Sequence, residues 1–216
     1  MLIKKRIFKD REDAANKLLD VLPIKEMLQE DWIILGTSAG AVPIALIIAK
    51  ALNAQFDYLF TEKIFTPNNS ECEIAIITET GEIVIHEELM KSFSLKLEDI
   101  YKIIDTKYEN EVKSYKAKYR KSLDIIDLSN KNVLLIDEGL NTGLTMMACI
   151  KSVINMKAKS ICVAVPILPE VTIHDIETIA DDLYYIDAPA HFVSIDFYYE
   201  DLKKITLDEI NILKGK

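Results

Sequence analysis

Two adjacent acids, Asp137 and Glu138, directly follow the apolar run VLLI at residues 133–136. Four apolar residues in a row predict a buried strand, and in a parallel α/β sheet ligands bind beyond the carboxyl ends of the strands. Two carboxylates at that position can accept hydrogen bonds from a pair of vicinal ribose hydroxyls. The alternative is an ordinary strand followed by a capped helix, but buried acids at a strand end need partners, which favours a ligand-binding site.

The residues after this acid pair, GLNTGLT at 139–145, have the composition of a phosphate-binding turn. Gly139 and Gly143 permit close approach of the backbone, Thr142 and Thr145 supply hydroxyls, and a helix N-terminus follows. The run lacks the lysine of a Walker motif and the GxGxxG spacing of a dinucleotide-binding loop. Together with the two acids, this turn predicts the binding of a phosphorylated ribose.

The elements that must position these residues alternate between strands and helices. Period-two or continuous apolar runs predict strands at 32–35, 57–61, 73–78, 133–136, 160–165 and 183–186, and a small hairpin extension at 82–85. Helical spacing predicts helices at about 10–22, 42–52, 97–123, 145–156 and 171–180. This alternation predicts an α/β fold, with a parallel central sheet flanked by helices.

The composition is that of a globular protein that binds small molecules. The chain has 216 residues, half of them hydrophobic, and is predicted to form a single domain over 1–216 with a helical insertion at about 87–123. Its net charge of −9 argues against nucleic acid and anionic membranes as partners. The three cysteines have no CxxC or Cys/His spacing, which argues against a disulfide framework or a zinc site. The sequence shows no signal peptide or bilayer-length apolar segment, so a cytoplasmic protein is expected.

The segment from Val133 to Thr145 resembles the signature of the type I phosphoribosyltransferases for 5-phosphoribosyl-1-pyrophosphate (PRPP). The resemblance implies a Rossmann-like core with a small hood. It also implies that Asp137 and Glu138 hold the ribose 2′ and 3′ hydroxyls, directly or through a magnesium ion. Asn141 stands where purine-base transferases often have an aspartate, and it can form hydrogen bonds but cannot take a proton. The phosphate-binding residues implied are Gly139, Leu140, Thr142, Gly143, Leu144 and Thr145.

The similarity extends to a less characterised bacterial branch of that family. It is carried by Phe8, Asp10, Arg11 and Ala14 and by the Gly-rich run LGTSAGAVP at 35–43. In the family this second loop holds the pyrophosphate of PRPP with backbone amides, which implies that role for Thr37, Ser38, Ala39 and Gly40.

Two positions depart from this branch by losing positive charge. Ala39 stands where the branch usually has an arginine, and Glu62 with Lys63 stands where it has an Arg-Lys pair. Cations placed there stabilise the leaving pyrophosphate, so Lys63 and a magnesium ion are expected to supply the positive charge.

The resemblance also assigns two segments around the ligand. Residues 64–73 occupy the position of the family's flexible catalytic loop, and their Pro/Asn/Ser-rich composition suits a mobile loop, although a solvated connector is the alternative. Residues 187–216 are expected to form a C-terminal hood in which Phe192 is the base-stacking candidate. Tyr198 and Tyr199 are interpreted either as part of the same pocket or as core.

The activity implied is that of a magnesium-dependent phosphoribosyltransferase, a pentosyltransferase that displaces pyrophosphate from PRPP by a nitrogen of a base-like acceptor. A second interpretation is a catalytically reduced protein that senses PRPP or a nucleotide, which Ala39, Glu62 and Asn141 favour. A third is a generic nucleotide-binding α/β protein, against which the missing Walker and GxGxxG motifs argue. The sequence does not identify the acceptor. Family members are often homodimers, and the tyrosine-bearing face of the long helix is a candidate surface, but an intramolecular contact would explain the same pattern.

Overall fold

The computed structural model describes residues 6–66 and 69–214. Its helices are α1 (Arg11–Val21), α2 (Ile24–Met27), α3 (Val42–Ala51), α4 (Glu87–Ser92), α5 (Leu97–Lys107), α6 (Lys113–Arg120), α7 (Leu144–Asn155), α8 (Glu170–Glu177) and α9 (Leu207–Lys214). Its strands are β1 (Trp32–Gly36), β2 (Gln55–Tyr58), β3 (Thr61–Thr66), β4 (Asn69–Thr78), β5 (Ile83–Ile85), β6 (Asn132–Ile136), β7 (Ser160–Ile167) and β8 (Asp182–Asp187). No helix in the described ranges is long and apolar enough to cross a membrane.

A parallel sheet forms the centre of the molecule. Within the described residues it has five strands in the order β2-β1-β6-β7-β8. Ile33 is paired with Val133 and Gly36 with Ile136, so β1 and β6 end side by side. The segments that follow these two strands are therefore neighbours at the carboxyl edge of the sheet. This arrangement confirms the predicted α/β fold with a parallel central sheet flanked by helices.

Alternate residues of each central strand face opposite layers of helices. On one face, Ile34 of β1 packs in a buried cluster with Leu18 of α1 and Ile48 of α3. On the other face, Leu35 packs with Ile150 of α7 in a second cluster, which also includes residues of α8. Because both faces are covered, the central strands consist of continuous apolar runs rather than alternating ones.

A smaller antiparallel sheet, β3-β4-β5, carries the helices α4 to α6. Ile74 of β4 shares a buried cluster with Ile100 of α5 and with Val112, which lies in the π-helical segment between α5 and α6. At the end of α6, Arg120 forms an ion pair of 2.7 Å with Glu79. Apolar packing and this sheltered ion pair together fix the helices onto the strands.

The structure corrects the strands predicted between residues 57 and 73. The strand predicted at 57–61 is divided, because β2 ends at Tyr58 and β3 begins at Thr61. The mobile loop predicted at 64–73 is mostly paired strand, belonging to β3 and β4. Its central residues 67–68 lie outside the described residues. The Pro/Asn/Ser content favoured a loop, whereas the described residues on either side are paired as strands.

The long helix predicted at 97–123 ends earlier and is less regular than expected. It contains the π-helical segment Tyr108–Val112 and ends at Arg120, after which Lys121 adopts a left-handed conformation with φ of 50°. Its tyrosine-bearing face packs within the chain, since Tyr115 and Tyr119 lie 6.1 and 6.2 Å from the ring of Phe60. A contact within the chain therefore explains the tyrosine-bearing apolar pattern of this helix face.

Candidate functional site

A cleft opens at the carboxyl ends of β1 and β6. It is lined by residues 137–146 after β6, by Thr37 and Ser38 after β1, and by Lys63 and Glu73 from the β3–β4 hairpin. The described lining is completed by Thr61 and Ile195. The cleft therefore brings the predicted acid pair, the predicted phosphate loop and part of the predicted pyrophosphate loop to one place.

Asp137 is buried, and donors from two segments hold its carboxylate. Thr37 Oγ1 donates to Oδ2 at 2.9 Å, while Ser38 Oγ and the backbone N–H of Glu138 donate to Oδ1 at 2.6 and 2.8 Å. Burial raises the pKa of Asp137 even though these hydrogen bonds favour its charged form. The carboxylate is thus fixed in orientation, and the charge of Lys63 also favours its ionised form.

Glu138 is held by Arg11 of α1. The guanidinium NH2 lies 2.7 Å from Oε2 of Glu138. The Nε–H donates to the same oxygen and to the carbonyl of Gly40, both at 2.9 Å, and NH1 donates to the carbonyl of Lys203 at 2.8 Å. Burial and the charge of Asp137 raise the pKa of Glu138, and Arg11 opposes that shift. One side chain therefore joins α1, the acid pair, the loop after β1 and the C-terminal segment.

Arg11 is a site residue to which the sequence assigned no role. It entered the sequence analysis only as part of an N-terminal pattern, and 127 positions separate it from Glu138. The available signal was the combination of an arginine predicted on an apolar-faced helix and an acid predicted at a buried strand end. Neither observation predicts that Arg11 and Glu138 are in contact.

The loop after β1 approaches Glu138 through Gly40. A Cβ atom placed on Gly40 would lie 1.8 Å from Oε2 of Glu138, so a side chain at this position would displace the carboxyl group of Glu138. Ala39 packs beside a buried apolar cluster that contains Val42 and Tyr58. Of the four residues predicted to hold pyrophosphate, Thr37 and Ser38 line the cleft, whereas Ala39 and Gly40 are not among its described lining residues. Their role in binding pyrophosphate stays a prediction.

The predicted phosphate loop runs from Gly139 to the start of α7. Gly143 has a φ of +76° and precedes the first residue of that helix, Leu144. The left-handed conformation favours glycine, and it turns the chain directly into a helix of 12 residues. The first N–H groups of a helix have no partners within it, which makes such an end suitable for an anion.

Lys63 and Glu73 form an ion pair on the hairpin side of the cleft. Their charged atoms are 2.7 Å apart, and the side chain of Glu73 is 13% exposed while that of Lys63 is 50% exposed. Lys63 is the one cation among the described lining residues, which also include three carboxylates, those of Glu73, Asp137 and Glu138. Glu73 is a site residue to which the sequence assigned no role of its own, because there it is the last residue of the predicted loop 64–73 and the first of a predicted strand.

The structure does not bring Phe192 to the described lining of the cleft. Its ring packs 5.4 Å from that of Tyr198, and Tyr198 and Tyr199 are buried in the core. Ile195 is the residue through which this segment lines the cleft. Tyr199 Oη also donates to the backbone carbonyl of Glu138 at 2.8 Å. The C-terminal segment therefore supports the acid pair, and base stacking by Phe192 stays a prediction.

Replacing Arg11 by lysine is expected to lower the free energy of unfolding by about 2 kcal/mol, because a lysine ammonium cannot reproduce the planar set of contacts to Glu138, Gly40 and Lys203. Urea denaturation would measure the loss. Arg6→Lys, at an exposed position, is the matched control and should stay within about 0.5 kcal/mol. Equal effects of the two substitutions would show that Arg11 does not tie these segments together.

Comparisons with known proteins agree with this geometry. The model of the family described as phosphoribosyl transferase domain matches residues 3–201. Two strains of Mycobacterium tuberculosis have a protein named "putative phosphoribosyl transferase" that is 26% identical over 205 residues, which are 95% of this chain and 46% of each relative. The chain thus spans about half the length of these curated relatives.

A solved structure shows the same fold. The crystal structure of the protein TT1426 from Thermus thermophilus is similar with a TM-score of 0.74 at 21% identity, and the similarity covers 95% of this chain and 96% of that one. The family model covers nearly the whole of this chain. The chain therefore belongs to the phosphoribosyl transferase domain family.

Proposed function

We propose that the protein transfers the 5-phosphoribosyl group of PRPP to a nitrogen of a base-like acceptor and releases pyrophosphate. The observation that carries this proposal is the convergence, in one cleft, of the acid pair Asp137 and Glu138 with the loop 139–145. Membership of the family supports transferase chemistry. The choice of PRPP as donor rests on the pairing of ribose-binding acids with a phosphate-binding turn.

The acid pair is suited to bind the ribose hydroxyls. Carboxylate oxygens accept hydrogen bonds from vicinal hydroxyls. Thr37 and Ser38 already hold Asp137, and Arg11 already holds Glu138, so little rearrangement is needed when the sugar binds. The backbone of the loop 139–145 and the start of α7 would take the 5-phosphate.

Magnesium fits this cleft as a cofactor that arrives with the substrate. The oxygen donors of Asp137, Glu138 and Glu73 are of the kind that Mg²⁺ prefers. In the described part of the chain, no group of three or more His, Cys, Asp or Glu residues could hold a metal ion. Mg²⁺ is often bound by one or two carboxylates together with substrate phosphates and water. When bound, the ion would neutralise charge on the pyrophosphate.

The chain itself would contribute positioning and charge. As the bond between the anomeric carbon and pyrophosphate breaks, the ribose becomes oxocarbenium-like, and the nearby carboxylates of Asp137 and Glu138 favour that positive charge. The acceptor nitrogen attacks the opposite face with inversion, and its proton leaves to solvent. Asn141 can orient the acceptor by hydrogen bonds but cannot take this proton. Lys63 is the described lining residue that can face the leaving group.

A second candidate function is binding of PRPP or a nucleotide monophosphate without turnover. Two ion pairs favour binding without turnover, because they occupy the charges of the hairpin. Lys63 is bound to Glu73, and Glu62 lies 2.9 Å from Lys107. Ala39 packs in an apolar cluster. Among the described residues, positions 39 and 62, where the bacterial branch has arginines, therefore provide no free cation for the leaving pyrophosphate.

Incubation with PRPP, Mg²⁺ and a panel of purine, pyrimidine and related bases separates the two functions. Calorimetry would give the PRPP affinity, and an enzyme-coupled assay would give pyrophosphate release. The proposal expects micromolar PRPP binding and release above background with at least one base. Binding without release across the panel would favour the sensor. Absence of both PRPP and nucleotide binding would contradict both functions.

A further inference from the structure

We infer that Glu62 is a positioning residue, which holds Lys63 in place for the pyrophosphate group by binding strand β3 to the helices α5 and α6. The inference rests on the proposed function, in which Lys63 faces the leaving pyrophosphate. It gives a role to a residue that is not among the described lining residues of the cleft. Glu62 acts through the strand and through its neighbour in the chain, without contact with the substrate.

Strand β3 has one face toward the cleft and the other toward the helices. Thr61 and Lys63 line the cleft. Ile64 belongs to the buried cluster that contains Ile100 of α5. Because successive side chains of a strand point to opposite faces, Glu62 lies on the same face as Ile64. Glu62 therefore points away from the cleft, toward the helices that cover β3.

Two donors from the helices bind the carboxylate of Glu62. Nζ of Lys107, the last residue of α5, donates to Oε1 at 2.9 Å, and Oη of Tyr115 in α6 donates to Oε2 at 3.1 Å. The side chain of Glu62 is 17% exposed, so solvent screens these contacts only in part. Both carboxylate oxygens are held, which restrains Glu62 and the backbone from which Lys63 extends.

The π-helical segment Tyr108–Val112 brings these two donors to one side of the helix. Lys107 and Tyr115 are eight positions apart. In a regular α-helix that spacing corresponds to a rotation of about 800°, which leaves the two residues about 80° apart around the axis. A π-helical turn takes up about one extra residue, and this removes most of the offset. The irregular turn therefore allows both side chains to reach Glu62.

The start of β3 is held in a similar way by a second acid. Oε1 of Glu79 accepts a hydrogen bond from the backbone N–H of Phe60 at 2.9 Å, and Arg120 at the end of α6 pairs with Glu79. With the residue before β3 fixed in this way, Glu62 restrains the next part of the strand, from which Lys63 enters the cleft. The helices thus set the position of the lysine at two successive points.

Three substitutions remove contacts of Glu62 while changing the charge in different directions. Glu62→Gln removes a negative charge, Lys107→Met removes a positive charge, and Tyr115→Phe changes no charge. Each is expected to weaken the binding of pyrophosphate with Mg²⁺ about threefold or more in calorimetry. The affinity for ribose 5-phosphate, which has no pyrophosphate group, is expected to stay unchanged. An effect of charge alone would instead strengthen pyrophosphate binding in Glu62→Gln and leave it unaltered in Tyr115→Phe.

Matched controls make the same chemical changes at exposed positions of α5. These are Glu98→Gln for Glu62→Gln and Tyr101→Phe for Tyr115→Phe, and both should leave pyrophosphate affinity unaltered. Circular dichroism would establish that the variants fold. Tyr115→Phe loses only a hydroxyl group, so it tests the inference even if Glu62→Gln does not fold.

The variant Lys63→Met tests the route by which Glu62 acts. If Glu62 works through Lys63, adding Glu62→Gln to Lys63→Met should have no further effect on pyrophosphate affinity. An effect that persists without the lysine would overturn the inference. Equal weakening of ribose 5-phosphate and pyrophosphate binding would overturn it as well, because it would indicate a general loss of structure.

The outcomes separate this inference from the proposed function. If the unmodified protein binds PRPP and releases pyrophosphate, and the three variants keep its pyrophosphate affinity, the inference fails and the proposed function stands. Selective weakening of pyrophosphate binding in a protein that shows no turnover would support the inference and contradict the transferase activity. Absence of PRPP and pyrophosphate binding by the unmodified protein would contradict both.

Discussion

Replacing Asp137 by asparagine is expected to weaken PRPP binding about a hundredfold, or roughly 2.7 kcal/mol, and to reduce pyrophosphate release to background. Hydroxyl donors of Thr37 and Ser38 and the N–H of Glu138 all point at the Asp137 carboxylate. An amide has one acceptor oxygen, so its NH2 group would face one of these donors. The substitution also removes the negative charge that would attract magnesium and stabilise the ribose in the transition state.

Calorimetry with and without Mg²⁺ would measure both effects of Asp137→Asn. Asp20→Asn makes the same chemical change at an exposed position of α1 and should leave PRPP affinity unaltered. Circular dichroism would establish that both variants fold. If Asp137→Asn keeps the affinity and the metal dependence of the unmodified protein, Asp137 does not bind the ribose or its metal ion.

Adding one methyl group at Gly40 is expected to lower the free energy of unfolding by about 3 kcal/mol and PRPP affinity by more than tenfold. The new Cβ would lie 1.8 Å from Oε2 and 2.3 Å from Cδ of Glu138. Glu138 or the loop must move, and Glu138 would then lose its contact with Arg11. The carbonyl of Gly40, which accepts from Arg11, would be displaced as well.

Gly36→Ala is the matched control for Gly40→Ala, because it also adds a methyl group to a glycine near this loop. Its Cβ would meet Phe56 and Tyr58 at 3.5 Å, which is ordinary van der Waals contact. We expect a change within about 1 kcal/mol in urea denaturation. Similar losses in the two variants would mean that any methyl group here is harmful and that the approach of Gly40 to Glu138 is not special.

Local patterns in the sequence predicted the centre of the site. The run VLLI followed by Asp137 and Glu138 defines a buried strand and its end, and the glycines and threonines of 139–145 define a turn into a helix. These features depend on neighbours a few positions apart, so composition and spacing are sufficient to recognise them. The parallel sheet followed from the alternation of such elements, and the structure confirms it.

Features that depend on distant partners could not be predicted from the sequence. The pairing of Arg11 with Glu138 depends on how α1 packs over the sheet. The composition of 64–73 indicated a loop, but strand pairing within the hairpin decides its structure. The contact between the rings of Phe192 and Tyr198, 5.4 Å apart, likewise depends on how the C-terminal segment packs. Side-chain chemistry suggested candidates in each case, and tertiary packing selected among them.

The contacts of Glu138 couple the ribose site to segments far from it in the chain. Arg11 binds the carbonyl of Lys203, and Tyr199 binds the carbonyl of Glu138. Local opening of α1, which carries Arg11, or of the C-terminal segment that carries Tyr199 and Lys203 therefore releases a restraint on Glu138, the acid that would hold the sugar. By thermodynamic linkage, a ligand that favours the ordered acid pair must also suppress those openings. Fusion partners or proteolytic cuts near either segment would accordingly affect ligand affinity without any contact with the ligand.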